Sequence, residues 1–520
     1  MAETLELIRY LKPRQKNRFD GVYNINSMND QGKKNLTKNT AYYIAALILQ
    51  KIISFAYFSF IATRLGSENI GKYFFALSFT AIFSIFIDVG LINILIRNTA
   101  RDPSEAQKLL SLNLAIKLPL AFFIYLVVIS LGFLLGYSGQ LRLMIAITGI
   151  IMMVDSFTLT FYGVFRGFHN LRFESLGTVI FQIIVATSGL IIIYFTREPI
   201  ILLLAILLAS LFNFFYSLFL VRLKLHLKIK LLFKKDEIFN LLKTTIPFAL
   251  AGIFTKIYAY IDTVFLSLFS TSKAIGLYSL PYKMTFALQF IPLAFMASLY
   301  PLFSSYFNKD HLQLAKFYEK SLYYLLIIVL PIVFGIIILG DQIILKIYGL
   351  EYQPSILSLQ ILMLGLIFVF LNFPASYLLN ACHQQKKLTQ NIGLIMIFNI
   401  ILNLILIKYL NLSFIGASFA SSLSSIILFL MNFYLTLKII KFNLVNFLIK
   451  LGKLTICLLV MVGVIIFIKN QLPLIFNIII AGLSYTIFIF LTKSVTKADL
   501  KILFQSIFNK TYEENPPDHS

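Results

Sequence analysis

Fourteen apolar stretches of about 20 residues or more constrain this sequence before anything else does: 40–63, 73–96, 110–136, 143–165, 175–195, 199–221, 246–269, 276–306, 317–340, 356–380, 388–407, 413–437, 451–468 and 472–492. A helix of about 20 residues crosses the roughly 30 Å hydrocarbon layer of a bilayer. Charged residues make up 13% of the 520, whereas a typical soluble domain carries about 25%. The reading is an all-α integral membrane protein with about 14 transmembrane helices.

A net charge of +23 raises nucleic acid as a partner, so the placement of the bases has to decide. Numbered from a cytoplasmic N-terminus, the tails and alternate loops hold 33 of the 45 Lys and Arg, the opposite loops hold 8, and Lys51, Lys117, Lys256 and Lys283 lie within spans. That asymmetry is the positive-inside signature and places both termini in the cytoplasm. Bases shared among many loops form no single footprint for nucleic acid. They suit the anionic headgroups of one leaflet of the lipid bilayer. Residues 1–39 read as a cytoplasmic tail with no apolar core for a cleavable signal, and 493–520 as a second cytoplasmic tail.

A shift of 205 residues superposes Ile70-Gly71-Lys72-Tyr73 on Ile275-Gly276-Leu277-Tyr278, Ser67 on Ser272, and Lys51-Ile52 on Lys256-Ile257. The spacing predicts two parallel six-helix repeats, 40–221 and 246–437, joined by a basic cytoplasmic linker at 222–245. Two extra transmembrane helices follow at 438–492. A path for a substrate would lie between the repeats, around an axis along the membrane normal.

Charges inside apolar spans are costly and mark candidate sites. Lys51 and Lys256 occupy equivalent places in the two repeats, where paired ammonium groups suit a diphosphate; snorkelling or a nearby carboxylate is the other reading of each. Asp262 and Lys283 fall at similar depth on adjacent helices, either as a mutual ion pair or as cavity groups. Asp88 and Arg97 stand toward the cytoplasmic mouth, Arg97 as an anion contact or a plain boundary anchor. Asp155 sits mid-span, lining a cavity or bonding a neighbour, and Lys117 is expected to snorkel. Pro281, Pro292 and Pro301 are candidate hinges because each removes a backbone donor. Gly71 and Gly276 are read as structural residues in matching turns.

Signs of catalysis are few. Cys382 and Cys457 show no ligand spacing, the five histidines form no HExxH pattern, and no GxxxxGK[ST] occurs. No metal site, cofactor or enzymatic activity is expected. No connection on the outer face exceeds about 20 residues, too little for the external acidic loop of a membrane glycosyltransferase or polymerase. Coupling to a proton or sodium gradient is left open.

Five pieces, RLGSENIGKYFFA (64–76), IDVGLINILIRNTAR (87–101), YGVFRGFHNLRFESL (162–176), the run from Thr245 to Met284, and FIGASFASSLSSI (414–426), resemble the polysaccharide or oligosaccharide flippases of the multidrug/oligosaccharidyl-lipid/polysaccharide exporter superfamily. The resemblance extends over about 40–492. It implies a carrier that moves a polyprenyl-diphosphate-linked oligosaccharide between leaflets of the cytoplasmic membrane by alternating access. It also implies a cationic central cavity to which Lys256, Asp262, Lys283, Asp88 and Arg97 would contribute. Polysaccharide polymerases and glycosyltransferases are the partners such carriers imply. A lipid II flippase, an ion-coupled drug exporter of the same superfamily, and a membrane-embedded transferase or polymerase stand as successively weaker alternatives.

Overall fold

The computed structural model describes residues 30–307 and 309–494; of the tails expected at 1–39 and 493–520, residues 1–29 and 495–520 lie outside that range, whereas 30–39 already belong to the first helix. Fifteen α-helices follow one another among the described residues. The first, α1 (Asp30–Asp88), has one non-helical residue, Gly66 at φ 77°, a left-handed conformation that glycine adopts without penalty. The chain folds back there. The Phe58 and Phe74 rings are 6.3 Å apart, although sixteen residues of straight helix would separate them by about 24 Å. After the short surface helix α2 (Leu91–Arg101) come α3 (Ala106–Leu134), α4 (Gly139–Gly167), α5 (Arg172–Phe195) and α6 (Pro199–Lys224).

The second half begins with α7 (Lys235–Phe269), eleven residues before the expected span. It continues through α8 (Ser272–Leu288), α9 (Phe290–Phe307), α10 (His311–Ile347), α11 (Ser355–Ala381), α12 (Gln385–Asn403) and α13 (Ser413–Leu437). Helices α14 (Leu444–Ile468) and α15 (Leu474–Leu491) complete the described chain. Among the described residues, twelve helices are long and apolar enough to cross a membrane, thirteen with one bent pair. The expected fourteen rests on reading the two legs of α1 as separate spans. This is a multi-pass membrane protein, and one apolar cluster containing Phe75, Tyr278, Tyr318 and Phe370 runs through both halves.

The loops rich in lysine and arginine mark one end of the bundle, the basic end; Gly66 turns at the far end. There the two halves touch at residues related by the 205 offset. A methyl group on Gly71 would lie 1.8 Å from the Ser272 carbonyl oxygen, and one on Gly276 would lie 1.8 Å from that of Ser67. Only glycine permits this approach of backbones, as at other close helix crossings in membranes. Both glycines lie within helices rather than in the expected turns, which fall at Gly66 and at Ser270–Thr271. Near the basic end the second leg of α1 stays against α7, where a methyl on Gly90 would come 2.9 Å from Phe248 Cβ.

The expected hinge prolines fall at different kinds of place. Helix α8 continues through buried Pro281. It ends at Leu288, whose carbonyl has no N–H to receive from Pro292. Pro301, likewise without a donor for the carbonyl of residue 297, follows a 44° bend between Ser272–Ala297 and Leu299–Phe307. The linker is shorter than expected, because α6 runs to Lys224 and α7 starts at Lys235. The Gln107 amide pairs twice with its backbone: Nε2 donates to the Lys228 carbonyl at 2.6 Å and Oε1 accepts from Lys228 N at 2.7 Å. Leu232 N donates to the Ser111 carbonyl at 3.3 Å.

Candidate functional site

Asp262 lies on the buried side of α7, 2% exposed. Its Oδ1 accepts from Asn403 Nδ2 at 2.6 Å, and its Oδ2 accepts from Tyr278 OH at 2.7 Å and from the Ser421 hydroxyl. The donors come from α8, α12 and α13, so one carboxylate gathers four helices of the second half. Asn403 is the last residue before a π-helical turn, Leu404–Tyr409, a rare geometry that recurs at functional sites. Its own Oδ1 is buried without a hydrogen-bond partner, while its Nδ2 also reaches Asn399. The alternative of an Asp262–Lys283 ion pair does not hold: neutral donors satisfy the acid, and the lysine lies elsewhere.

A cavity of about 330 Å³ opens between the halves. Its walls carry Thr80, Ser84, Asp88, Thr148, Asp155 and Ser156 from the first half and Lys256 from the second. Asp155 is therefore a lining residue. Asp88 is not a free acid, because Lys117 Nζ stands 2.7 Å from its Oδ1. Lys117 was expected to snorkel, yet it is completely buried. Its ammonium also donates to Thr160 Oγ1 at 2.8 Å and to the Ser156 carbonyl and hydroxyl at 3.3 Å each. A full set of partners on α4 holds it inside, where the depth argument alone would send the chain outward.

The other three intramembrane lysines have no carboxylate within ion-pair distance among the described residues. Each meets an aromatic ring instead. Lys51 Nζ is 4.4 Å from the Phe286 ring centre, Lys256 Nζ is 5.7 Å from that of Tyr260, and Lys283 Nζ is 5.4 and 5.6 Å from those of Phe58 and Phe74. Lys51 and Lys283 thus each reach across from one half to rings of the other. Lys51 also lines a separate gap of about 200 Å³ with Tyr43, Ile44, Leu47, Ile48, Phe290, Leu293, Ala294 and Ala297. That gap runs between the first leg of α1 and α9. A cation face is attracted to ring faces, and attraction strengthens away from water.

Arg97 is not in the cavity. It projects from the exposed face of α2, where its Nε reaches Asn98 Oδ1 at 3.4 Å. Sequence reasoning passed over Tyr278, Asn399, Asn403 and Ser421 around Asp262; asparagines at i and i+4 within an apolar span were a signal. It also passed over Arg166, whose guanidinium pairs with buried Glu174, while Tyr43 OH donates to Glu174 Oε1 at 3.2 Å. That cluster ties the first leg of α1 to α4 and α5.

Comparison with known proteins places this geometry. A family model described as "Polysaccharide biosynthesis protein" matches residues 36–307, just over half of the chain. The chain belongs to that family. A relative from Staphylococcus aureus, "Capsular polysaccharide biosynthesis protein CapF", is 24% identical over 409 residues, covering 77% of this chain and 98% of its own. A "Probable low-salt glycan biosynthesis flippase Agl15" from Haloferax volcanii is 25% identical over 189 residues, 36% of this chain and 39% of its own. Among solved structures, "Lipid II flippase MurJ, inward closed conformation" superposes with a TM-score of 0.69 at 18% identity, over 89% of this chain and 99% of that one. An inward-facing multidrug resistance MATE transporter gives 0.63 at 16% identity, over 76% and 98% of the two chains. The fold is that of the MurJ and MATE structures.

Proposed function

We propose that this polysaccharide biosynthesis family member is a flippase that carries a polyprenyl-diphosphate-linked oligosaccharide from the cytoplasmic to the outer leaflet of the cytoplasmic membrane. One observation carries the reading: Lys51, Lys256 and Lys283 stand between the two halves without carboxylate partners among the described residues. Cations held unpaired at membrane depth call for an anion that arrives and leaves, and a diphosphate supplies it. The gap beside Lys51 supports a lateral path on which the polyprenyl tail stays in lipid while the head enters. Asp88, Asp155 and the hydroxyls of Thr80, Ser84 and Thr148 offer acceptors and donors to sugars. The basic end faces the cytoplasm in this reading, as does each terminus. The protein works by rocking its halves, with no covalent change to the substrate.

Transport in liposomes of a fluorescent diphosphate-polyprenyl sugar tests the cationic path. Lys256→Ala and Lys283→Ala are each expected to slow leaflet exchange about tenfold or more, the cost of one charge-assisted contact to phosphate. Unchanged rates in both would remove the cations from the mechanism. Likeness to the MurJ structure keeps lipid II as the second substrate reading. Competition between unlabelled lipid II and a lipid-linked oligosaccharide in the same vesicles separates the two.

Coupling to a cation gradient is assigned in this proposal to Asp262. Three donors converge on its carboxylate, and the spare oxygen of Asn403 sits in the same cluster. Asp262→Asn is expected to abolish the response of transport to an imposed proton or sodium gradient, while exchange without a gradient persists. If neither gradient changes the wild-type rate, Asp262 has no coupling role.

A further inference from the structure

The far end of the bundle is shut by more than the glycine contact. The turn between α10 and α11, in the second half, carries a 3-10 helix, Leu350–Tyr352, that grips the first half at three points. Glu351 Oε1 accepts from Ser67 N and from Ser67 Oγ, both at 2.6 Å. Tyr352 OH donates to the Ala62 carbonyl at 3.0 Å, and Tyr348 OH donates to Ser59 Oγ at 2.9 Å. All three acceptors or donors lie on the α1 hairpin.

The repeat explains why Glu351 is needed. The helix starting at Ser272 is capped from within, because Thr271 accepts from Ala274 N through its own side chain. The position equivalent to Thr271 is Gly66, which has no side chain to offer. The helical leg starting at Ser67 therefore has free amide donors at its first turn. Its acceptor comes from the opposite half. A cap of this kind exists only while the halves are together at the far end.

We propose that Glu351 is a positioning residue of the transport cycle. It holds the far face closed by lending the first half a helix cap that the second half supplies to itself, and every outward opening must release it. Tyr348 and Tyr352 seat the carboxylate by fixing the turn against α1. The inference rests on the two-state reading above, and its test needs no substrate.

Spin labels at Arg197→Cys and Leu410→Cys, exposed far-end positions in opposite halves, report the opening as a distance in lipid nanodiscs, with Cys382 and Cys457 replaced by serine. Glu351→Ala is expected to raise the ratio of long to short distances about fivefold, the effect of losing one N-cap. Glu351→Gln, which keeps one accepting oxygen, should fall between that variant and the parent. Tyr348→Phe should move the ratio in the same direction and carries the test if Glu351→Ala fails to fold. An unchanged ratio in Glu351→Ala and Tyr348→Phe overturns the latch. If the parent shows two distances with that unchanged ratio, the latch alone falls; a single distance in all variants and conditions defeats the two-state reading as well.

Discussion

Lys117→Met is expected to destabilise the protein by about 3–5 kcal/mol, the cost of stranding one member of a buried ion pair. Lys117 is wholly buried, and its ammonium supplies Asp88, Thr160 and both oxygens of Ser156. Methionine fills the space but leaves Asp88 charged at the cavity wall and three oxygens of α4 without their donor. The double variant Asp88→Asn/Lys117→Met should recover most of the loss, since the isolated charge is then gone. Thermal unfolding in detergent or nanodiscs measures both. A single variant as stable as the parent would show that the pair does not hold α1, α3 and α4 together.

Gly276→Ala, and Gly71→Ala by symmetry, should cut transport roughly 10- to 100-fold while the protein still folds. The added methyl would stand 1.8 Å from a backbone carbonyl of the opposite half, and neither backbone can yield that much without parting the helices. Parting is permitted in an outward-open state, so the substitution penalises the closed far face and spares the halves themselves. The far-end distance should lengthen as the transport rate falls. Normal transport in both variants would place the motion somewhere other than this crossing.

The architecture was legible because each of its determinants is local. Apolar runs of membrane length and the 205 offset each follow from short stretches of sequence. The offset aligned Gly71 with Gly276 and Ser67 with Ser272 as equivalents but gave no sign that Gly71 meets Ser272 and Gly276 meets Ser67 across the axis, and it assigned the glycines to turns. The site was harder to read because partners depend on three-dimensional neighbours. Asp262 and Lys283 share a depth on adjacent helices, yet rotation about their axes sends one toward Asn403 and the other onto Phe58 and Phe74. Lys117 lies close enough to an interface to snorkel by depth alone, and only the hydroxyl-bearing face of α4 keeps it inside. Glu351 was invisible for another reason. Its partner lies 284 residues away, and nothing in the sequence marks a glutamate as the missing cap of a distant helix.

The pairing of Gln107 with Lys228, described with the linker, limits how the halves can separate. With Leu232 also tied to Ser111, only the three residues up to Lys235 are free, a leash of about 10 Å when fully extended. The edge of the molecule at the start of α7 is thus the hinge side of a door, where Gly90 already rests against Phe248. Its free edge is the seam between the first leg of α1 and α9, beside Lys51. In the alternating-access cycle proposed above, a head group too wide for the cavity at rest would enter by swinging that seam, and a three-residue tether would limit how far it swings.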